Sequence, residues 1–391
     1  MGRVYRRHYV PGGLYQAAHG KCPRATKTFL AGIGDDVFYF ANRVSQSGRV
    51  GGGHVVGCIK NGTDETEEME ALGFETVSYM FASDYFLYLV GKRYGENDRQ
   101  VHVFDPESRG LIAKFTRFGG SGREDIDFAM GDNTIGWLSS NGSRDSLLEI
   151  VTLNSADGVP HSAHYLTTED YEVLGMANNV GVLASRRVVS ITDLDTVGNG
   201  EILKTVDGSA GVDPTAAAFN SSSEAVAIGY VDGSVKLWDT RYFTRPFYVL
   251  KSEAYRPGAV KSLAFSDYQN ELYVARQQVN RETPWIESFS TADMASYECL
   301  IEPQIPLLPQ SERYLDHDAV WPPGSSVFEL PDQRVAFEDP HPYVSDLRKQ
   351  PVFAGSMLVK RNKLFVGTPS SVLSIDIPKM RSKKSYSLIG L

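Results

Sequence analysis

Cysteine is scarce: Cys22, Cys58 and Cys299 are the only three in 391 residues, an odd number at wide spacing. That pattern supplies neither a disulfide framework nor a zinc motif, and it points to a reducing compartment. Long apolar runs are missing as well, and no segment reaches the length of a bilayer-crossing helix. The basic N-terminus, Met1 to Arg7, is not followed by an apolar stretch of signal-peptide length. Arg6 stands where a myristoylation motif requires Ser or Thr. The expectation is a soluble protein of the cytoplasm or nucleus, with no membrane partner, in which the sequons at Asn61, Asn141 and Asn220 are simply turns. Positive charge is in deficit: 39 Lys and Arg against 48 Asp and Glu leave a net −9. This disfavours nucleic acid as a general partner, since phosphate binding needs a concentrated basic face.

Catalytic signatures are also lacking. The eight histidines are scattered, with His161 and His164 the only close pair, and no His-Glu-x-x-His, Gly-x-Ser-x-Gly or Cys–His arrangement occurs. Asp316-His317-Asp318, with Asp339 and His341, lacks ligand spacing and lies in a proline-rich loop. The glycine-rich stretch from Ser47 to His54 lacks the Lys-Ser/Thr ending and the strand-to-helix setting of a phosphate cradle. No catalytic, cofactor-binding or metal-ligating residue is assigned, and no cofactor is expected.

What the chain has in quantity is Gly (36), Tyr (20) and Phe (19), arranged as short β-type runs separated by turn residues. Only the stretch from Asp64 to Leu72 hints at a helical period. Its five carboxylates between Asp64 and Glu70 form a solvated face, or a patch for a basic partner. The ends of successive third strands fall at Ile59-Lys60, Phe104-Asp105, Leu153-Asn154, Leu194-Asp195, Trp238-Asp239, Phe289-Ser290 and Ile375-Asp376, at intervals of 45, 49, 41, 44, 51 and 86 residues. A period near 40–45 is that of a four-stranded propeller blade, which cannot bury both faces alone and must stack on its neighbours.

The expectation is therefore an all-β fold: one closed β-propeller of seven four-stranded blades, over 27–72, 74–119, 124–168, 171–207, 213–251, 259–301 and 352–391. Ring closure pairs the last blade either with residues around Tyr5 to Gln16 or with Ser385 to Leu391. The long sixth interval holds a Pro-rich insertion, 302–351, with nine of the chain's nineteen prolines. Proline removes a ladder donor and fixes φ, so central strands are excluded there.

The best-formed repeat runs from Asp213 to Lys251. An apolar strand (215–219) is followed by a small-residue strand (224–230), then the Asp232-Gly233 turn, then Ser-Val-Lys-Leu-Trp-Asp (234–239). This resembles a WD repeat, although no Gly-His pair precedes its first strand and other blades keep only shadows such as His102 to Asp105. Asp232-Gly233 supplies a tight hairpin turn. Ala227 and Gly229 let neighbouring blades approach, and Trp238 supplies a large buried surface.

The resemblance implies a non-enzymatic scaffold or adaptor that binds proteins or peptides on its top face, at the channel mouth and on the 302–350 insertion. Trp238-Asp239-Thr240-Arg241, with Asp232 nine residues before the Arg, also resembles the WDxR box. Some WD-repeat proteins use that box to dock onto the DDB1 adaptor of cullin-4 ubiquitin ligases. In that reading the protein is a substrate receptor, Arg241 presents a fixed guanidinium at the bottom rim, and Asp232 and Asp239 support its turn. A third reading, a propeller enzyme with its site in the central channel, requires a convergent polar cluster there.

Overall fold

Burial explains why the strands read as they do. The second and third strands of each repeat lie between two neighbouring sheets, so both of their faces are covered and their sequences are almost continuously apolar. Ala225–Tyr230 and Thr134–Ser140 show this pattern, whereas the outer strand Leu111–Thr116 is exposed or half-exposed along its length.

The computed structural model describes residues 5–9, 29–42, 54–60, 66–68, 74–93, 99–108, 110–116, 124–140, 146–154, 156–158, 160–168, 170–194, 201–208, 211–250, 258–266, 271–277, 285–291, 297–301, 356–360, 362–367 and 371–377. A first strand, β1 (Tyr5–Tyr9), precedes six blades that are each one stretch of chain. The first comprises β2 (Leu30–Ile33), β3 (Asp36–Asn42), β4 (His54–Ile59) and β5 (Thr66–Glu68). The second comprises β6 (Phe74–Ala82), β7 (Leu87–Arg93), β8 (Gln100–Phe104) and β9 (Leu111–Thr116). The third is β10 (Glu124–Met130), β11 (Thr134–Ser140), β12 (Ser146–Leu153) and β13 (Pro160–Thr168). The fourth is β14 (Val173–Ala177), β15 (Val180–Ala184), β16 (Val188–Asp193) and β17 (Glu201–Asp207). Then come the fifth, β18 (Pro214–Phe219), β19 (Ala225–Tyr230), β20 (Val235–Asp239) and β21 (Tyr248–Leu250), and the sixth, β22 (Ala259–Ser266), β23 (Glu271–Gln277), β24 (Trp285–Ser290) and β25 (Tyr297–Ile301). All pairings between these named strands are antiparallel.

The expected pattern of consecutive blades holds for these six. The remaining sheet is composite: β26 (Ser356–Lys360), β27 (Lys363–Gly367) and β28 (Ser371–Asp376) are joined on the outside by β1, with Tyr5 opposite Ile375. The expected blade over 352–391 is thus three strands long in the described residues, its fourth coming from the opposite end of the chain. The insertion at 302–351, the candidate cluster around Asp316 to His341, the basic tail from Lys379 and the segment from Ser385 to Leu391 lie outside the described residues. The helical expectation for Asp64 to Leu72 is corrected: Thr66–Glu68 pairs with Gly57 to Ile59 as the outer strand of the first blade. No helix among the described residues is long and apolar enough to cross a membrane.

The first strand of each blade packs against that of the next, and β26 lies between β22 and β2. Apolar side chains fill each junction. Phe38, Phe40 and Cys58 of the first blade meet Met80, Leu89 and Phe104 of the second. Leu30, Tyr39 and Ile59 meet Phe365 and Val372 of the composite sheet, where Leu30 N donates to Ser356 Oγ at 3.1 Å. Polar groups stitch the inner strands too. The Asp127 carboxylate on β10 accepts from Tyr79 Oη on β6 and from Leu174 N on β14, both at 2.8 Å, so one side chain ties three blades. Burial, reinforced by Asp127, pushes the Tyr79 hydroxyl well above the ordinary tyrosine range and keeps it a donor.

Neighbouring blades approach closely at Gly229. A Cβ there would stand 2.4 Å from Val260 Cγ1 and 2.7 Å from Val260 Cβ, on the inner strand of the sixth blade. Gly229→Ala is therefore expected to cost about 1–3 kcal/mol through forced separation of the two sheets. Urea unfolding should show a lower midpoint with an unchanged slope.

Candidate docking surface on the fifth blade

In each of the six blades the chain runs outward through four antiparallel strands, so two kinds of turn share each end of the stacked blades. One end, the top, carries the turns between second and third strands together with the links between blades. The other, the bottom, carries the first-to-second and third-to-fourth turns. In the fifth blade this puts Val231 to Ser234 on top, and both 220–224 and 240–247 on the bottom.

Asp232 shapes the top turn. Its carboxylate accepts from Ser234 N (2.9 Å) and Ser234 Oγ (2.6 Å), while Gly233 adopts φ +84°, a conformation that disfavours a side chain. Trp238 sits fully buried between the fourth and fifth blades among Val189, Ile191, Val226 and Phe243, with the Phe243 ring centroid 5.0 Å from its own. Its indole N–H has no acceptor among the described residues.

Asp239 and Arg241 lie at the bottom, where β20 ends. Arg241 Nε and Nη2 donate to the two oxygens of Asp239 (3.2 and 3.1 Å), and Nη1 donates to Glu224 Oε1 (2.9 Å). The backbone N–H of Arg241 also donates to Asp239 Oδ1 (2.9 Å), closing the turn. The Arg241 side chain is nonetheless 57% exposed, so a solvent-facing guanidinium is held in one place. The guanidinium holds the Asp239 carboxyl below the usual carboxylate range. With that pKa depressed, the pairing stands above the ordinary range and fails only as acidification reaches the lowered value.

The turn that carries Arg241 is fastened in its own right. Thr240 Oγ1 donates to Ser223 O (2.8 Å) and Thr240 N to Glu224 O (2.9 Å). Ser223 (φ +58°) and Asn178 (φ +49°) hold unusual positive φ values at successive bottom hairpins. With its amide turned to satisfy both neighbours, Asn178 donates to Asp132 (3.0 and 3.1 Å) and accepts from Ser223 Oγ (2.7 Å). Hairpins of the third, fourth and fifth blades are thereby linked along the bottom face.

The structure therefore brings Asp239 and Arg241 together, adds Glu224, and separates Asp232 from them by the length of β20, roughly 16 Å. The expected support of the Arg241 turn by Asp232 is replaced by support from Glu224 and Thr240. Glu224 reads in the sequence as an ordinary polar turn residue. Only the pairing of Ala225 with Asp239 brings it beside Arg241.

No family model matches the chain, and no curated protein matches it. Among solved structures, a chain from one described as "Crystal Structure of Mitotic Checkpoint Complex" is similar at 17% identity and a TM-score of 0.43. The match covers 55% of this chain and 60% of that one, so this chain spans less than two thirds of its length. So slight a likeness bears on no functional question.

Exposed apolar side chains are unevenly divided between the two ends of the blades. Val231 is the one exposed large apolar residue in a top turn among the described residues. Tyr85, Leu111, Ile112, Tyr242 and Phe247 are exposed at the bottom rim, and Leu203, Tyr248 and Val249 on the flanks. Tyr242 adjoins Arg241 and is 74% exposed. The top turn has a different distinction that nothing in the sequence signalled. Arg276 of β23 and Glu287 of β24 are both fully buried and form an ion pair, and Arg276 Nε donates to Gly233 O at 2.9 Å. They read as two ordinary charges in strands until the next blade covers them. Among the described residues no three His, Cys, Asp or Glu side chains are grouped to hold a metal ion.

Proposed function

We propose that the protein is a non-enzymatic interaction platform of the WD-repeat kind, and that it docks a protein partner on the bottom rim of the fifth blade. The observation that carries this reading is the exposed but immobilised Arg241 guanidinium beside Tyr242. A side chain already held by its neighbours has less entropy to lose on association, and Arg and Tyr are enriched among the residues that dominate protein interfaces. The ring behind it is a closed seven-bladed one in this reading, the composite sheet acting as the seventh blade. Support comes from the β1–β28 ladder and from the packing of β26 on β2. Closure removes the weak seam at which a rim surface would flex.

The more specific form is a substrate receptor that offers Arg241 to a cullin-4 adaptor of the DDB1 kind, within the cytoplasm or nucleus. Fixation of the guanidinium favours it, while the displacement of Asp232 to the far end of the strand removes one of its supports. Arg241→Ala is expected to abolish co-purification of the partner and to leave the melting temperature within about one degree, because an exposed ion pair contributes little to stability. Co-purification unchanged by Arg241→Ala rules out this docking site. A partner lost on Arg241→Ala that is not a cullin adaptor rules out the receptor form alone.

A further inference from the structure

The bottom rim carries a second adhesive point, on the second blade, with the opposite charge character. Tyr85 stands at the tip of the β6–β7 hairpin and is 66% exposed. Ser83 holds that tip: Ser83 Oγ accepts from Phe86 N (3.0 Å), and Ser83 N donates to Phe86 O (2.9 Å). Along the same sheet end, Leu87 pairs with Phe104 and Phe104 with Leu111, so the start of β9 lies about 10 Å from the start of β7. A bulge at Ile112, between the pairs Val103–Ala113 and Phe104–Leu111, accompanies two consecutive exposed apolar side chains, Leu111 and Ile112.

Carboxylates surround this apolar trio. Asp84 adjoins Tyr85 in the hairpin tip, and Asp105 and Glu107 lie in the turn leading to Leu111. Asp105 is held below the usual carboxylate range by hydrogen bonds from Ser108 and from the turn's N–H groups, so it stays ionised. Asp157 reaches the rim from the third blade, where Gly158 packs against Phe86 and Tyr88. Of the basic residues, Arg109 stands between Glu107 and Leu111 in the sequence, and Lys114 follows two residues beyond Ile112, which leaves the four carboxylates in excess. The fifth-blade rim offers guanidinium and aromatic groups, and this one offers carboxylates around aliphatic and aromatic groups.

We infer that the second-blade rim binds a cationic amphipathic segment of a protein partner, with its apolar side chains on Tyr85, Leu111 and Ile112 and its Lys or Arg residues on Asp84, Asp105, Glu107 and Asp157. The site shares with the proposed function only the premise that the protein binds proteins. It uses none of the fifth-blade residues, so either site can fail alone.

The test uses the full chain and a fluorescent helical peptide of leucine and lysine about eighteen residues long, with apolar and basic faces, alongside a leucine–glutamate counterpart. The leucine–lysine peptide should bind saturably at one site, and the leucine–glutamate peptide at least tenfold more weakly. Tyr85→Ser with Ile112→Ser should weaken binding about tenfold or more, and so should Asp84→Lys with Glu107→Lys. Arg241→Ala with Tyr242→Ser should leave it unchanged. All these side chains are solvent-facing, so an unaltered circular dichroism melt is expected for each variant. Equal binding of the two peptides, or binding insensitive to both second-blade variants, would overturn the inference. Loss only in the Arg241→Ala, Tyr242→Ser variant would transfer the peptide to the fifth blade and overturn it equally.

Discussion

Glu287→Gln is expected to lower the free energy of unfolding by about 3–5 kcal/mol, read from urea titration, because it strands a buried guanidinium. Arg276 and Glu287 are both without solvent exposure. Together they form a pair whose desolvation is offset only while both charges are present. The consequence is not confined to the sixth blade. Arg276 Nε donates to Gly233 O, so the pair also holds the Asp232-Gly233 turn of the fifth blade from behind. Phe289 lies under the guanidinium, its ring centroid 5.7 Å away. Replacing both charges at once, Arg276→Met with Glu287→Leu, should recover most of the loss, since well-packed apolar side chains often substitute for a buried pair without penalty. A residual deficit of about 1 kcal/mol is expected from the lost bond to Gly233. A double variant no more stable than Glu287→Gln would mean that a stranded buried charge is not the source of the loss.

The second large effect is at Trp238. Trp238→Ala should cost about 3–5 kcal/mol, the usual range for removing a fully buried aromatic side chain. The loss falls at the junction of the fourth and fifth blades, where Trp238 packs among Val189, Ile191 and Phe243. Trp238→Phe separates shape from hydrogen bonding. Because the indole N–H has no acceptor among the described residues, the replacement forfeits volume but no hydrogen bond. Its cost should stay near 1–2 kcal/mol, the scale of a modest cavity. A Phe variant as damaged as the Ala variant would show that the indole N–H has an acceptor after all.

Much of this architecture was legible in the residues, and the reasons are local. The four-strand period, the Asp232-Gly233 turn and the small residues Ala227 and Gly229 follow from chain spacing and side-chain volume, which a sequence carries directly. Gly229 against Val260 is a clear case: a missing side chain marks a place where the next blade comes close. The features that the residues do not disclose depend on neighbours far apart in the chain. Glu224 becomes a partner of Arg241 only through strand pairing, and Arg276 reaches Gly233 only once the sixth blade stacks on the fifth. The same limit applies to Asp232 and Arg241. Nine residues separate them in the sequence, but β20 lies between and carries them to opposite ends of the blade. The short acidic strand Thr66–Glu68 was obscured for a related reason. Three residues cannot show a period, and its pairing with β4 is what makes it a strand.

Hydrogen exchange on the partner complex, isolated by affinity purification of the full chain, tests most directly whether the partner docks on the bottom rim of the fifth blade. The prediction is slowed exchange over 220–224 and 240–247, with the top turn at 231–234 unchanged. Protection confined to the top turns, or a chain that retains no partner at all, would contradict it.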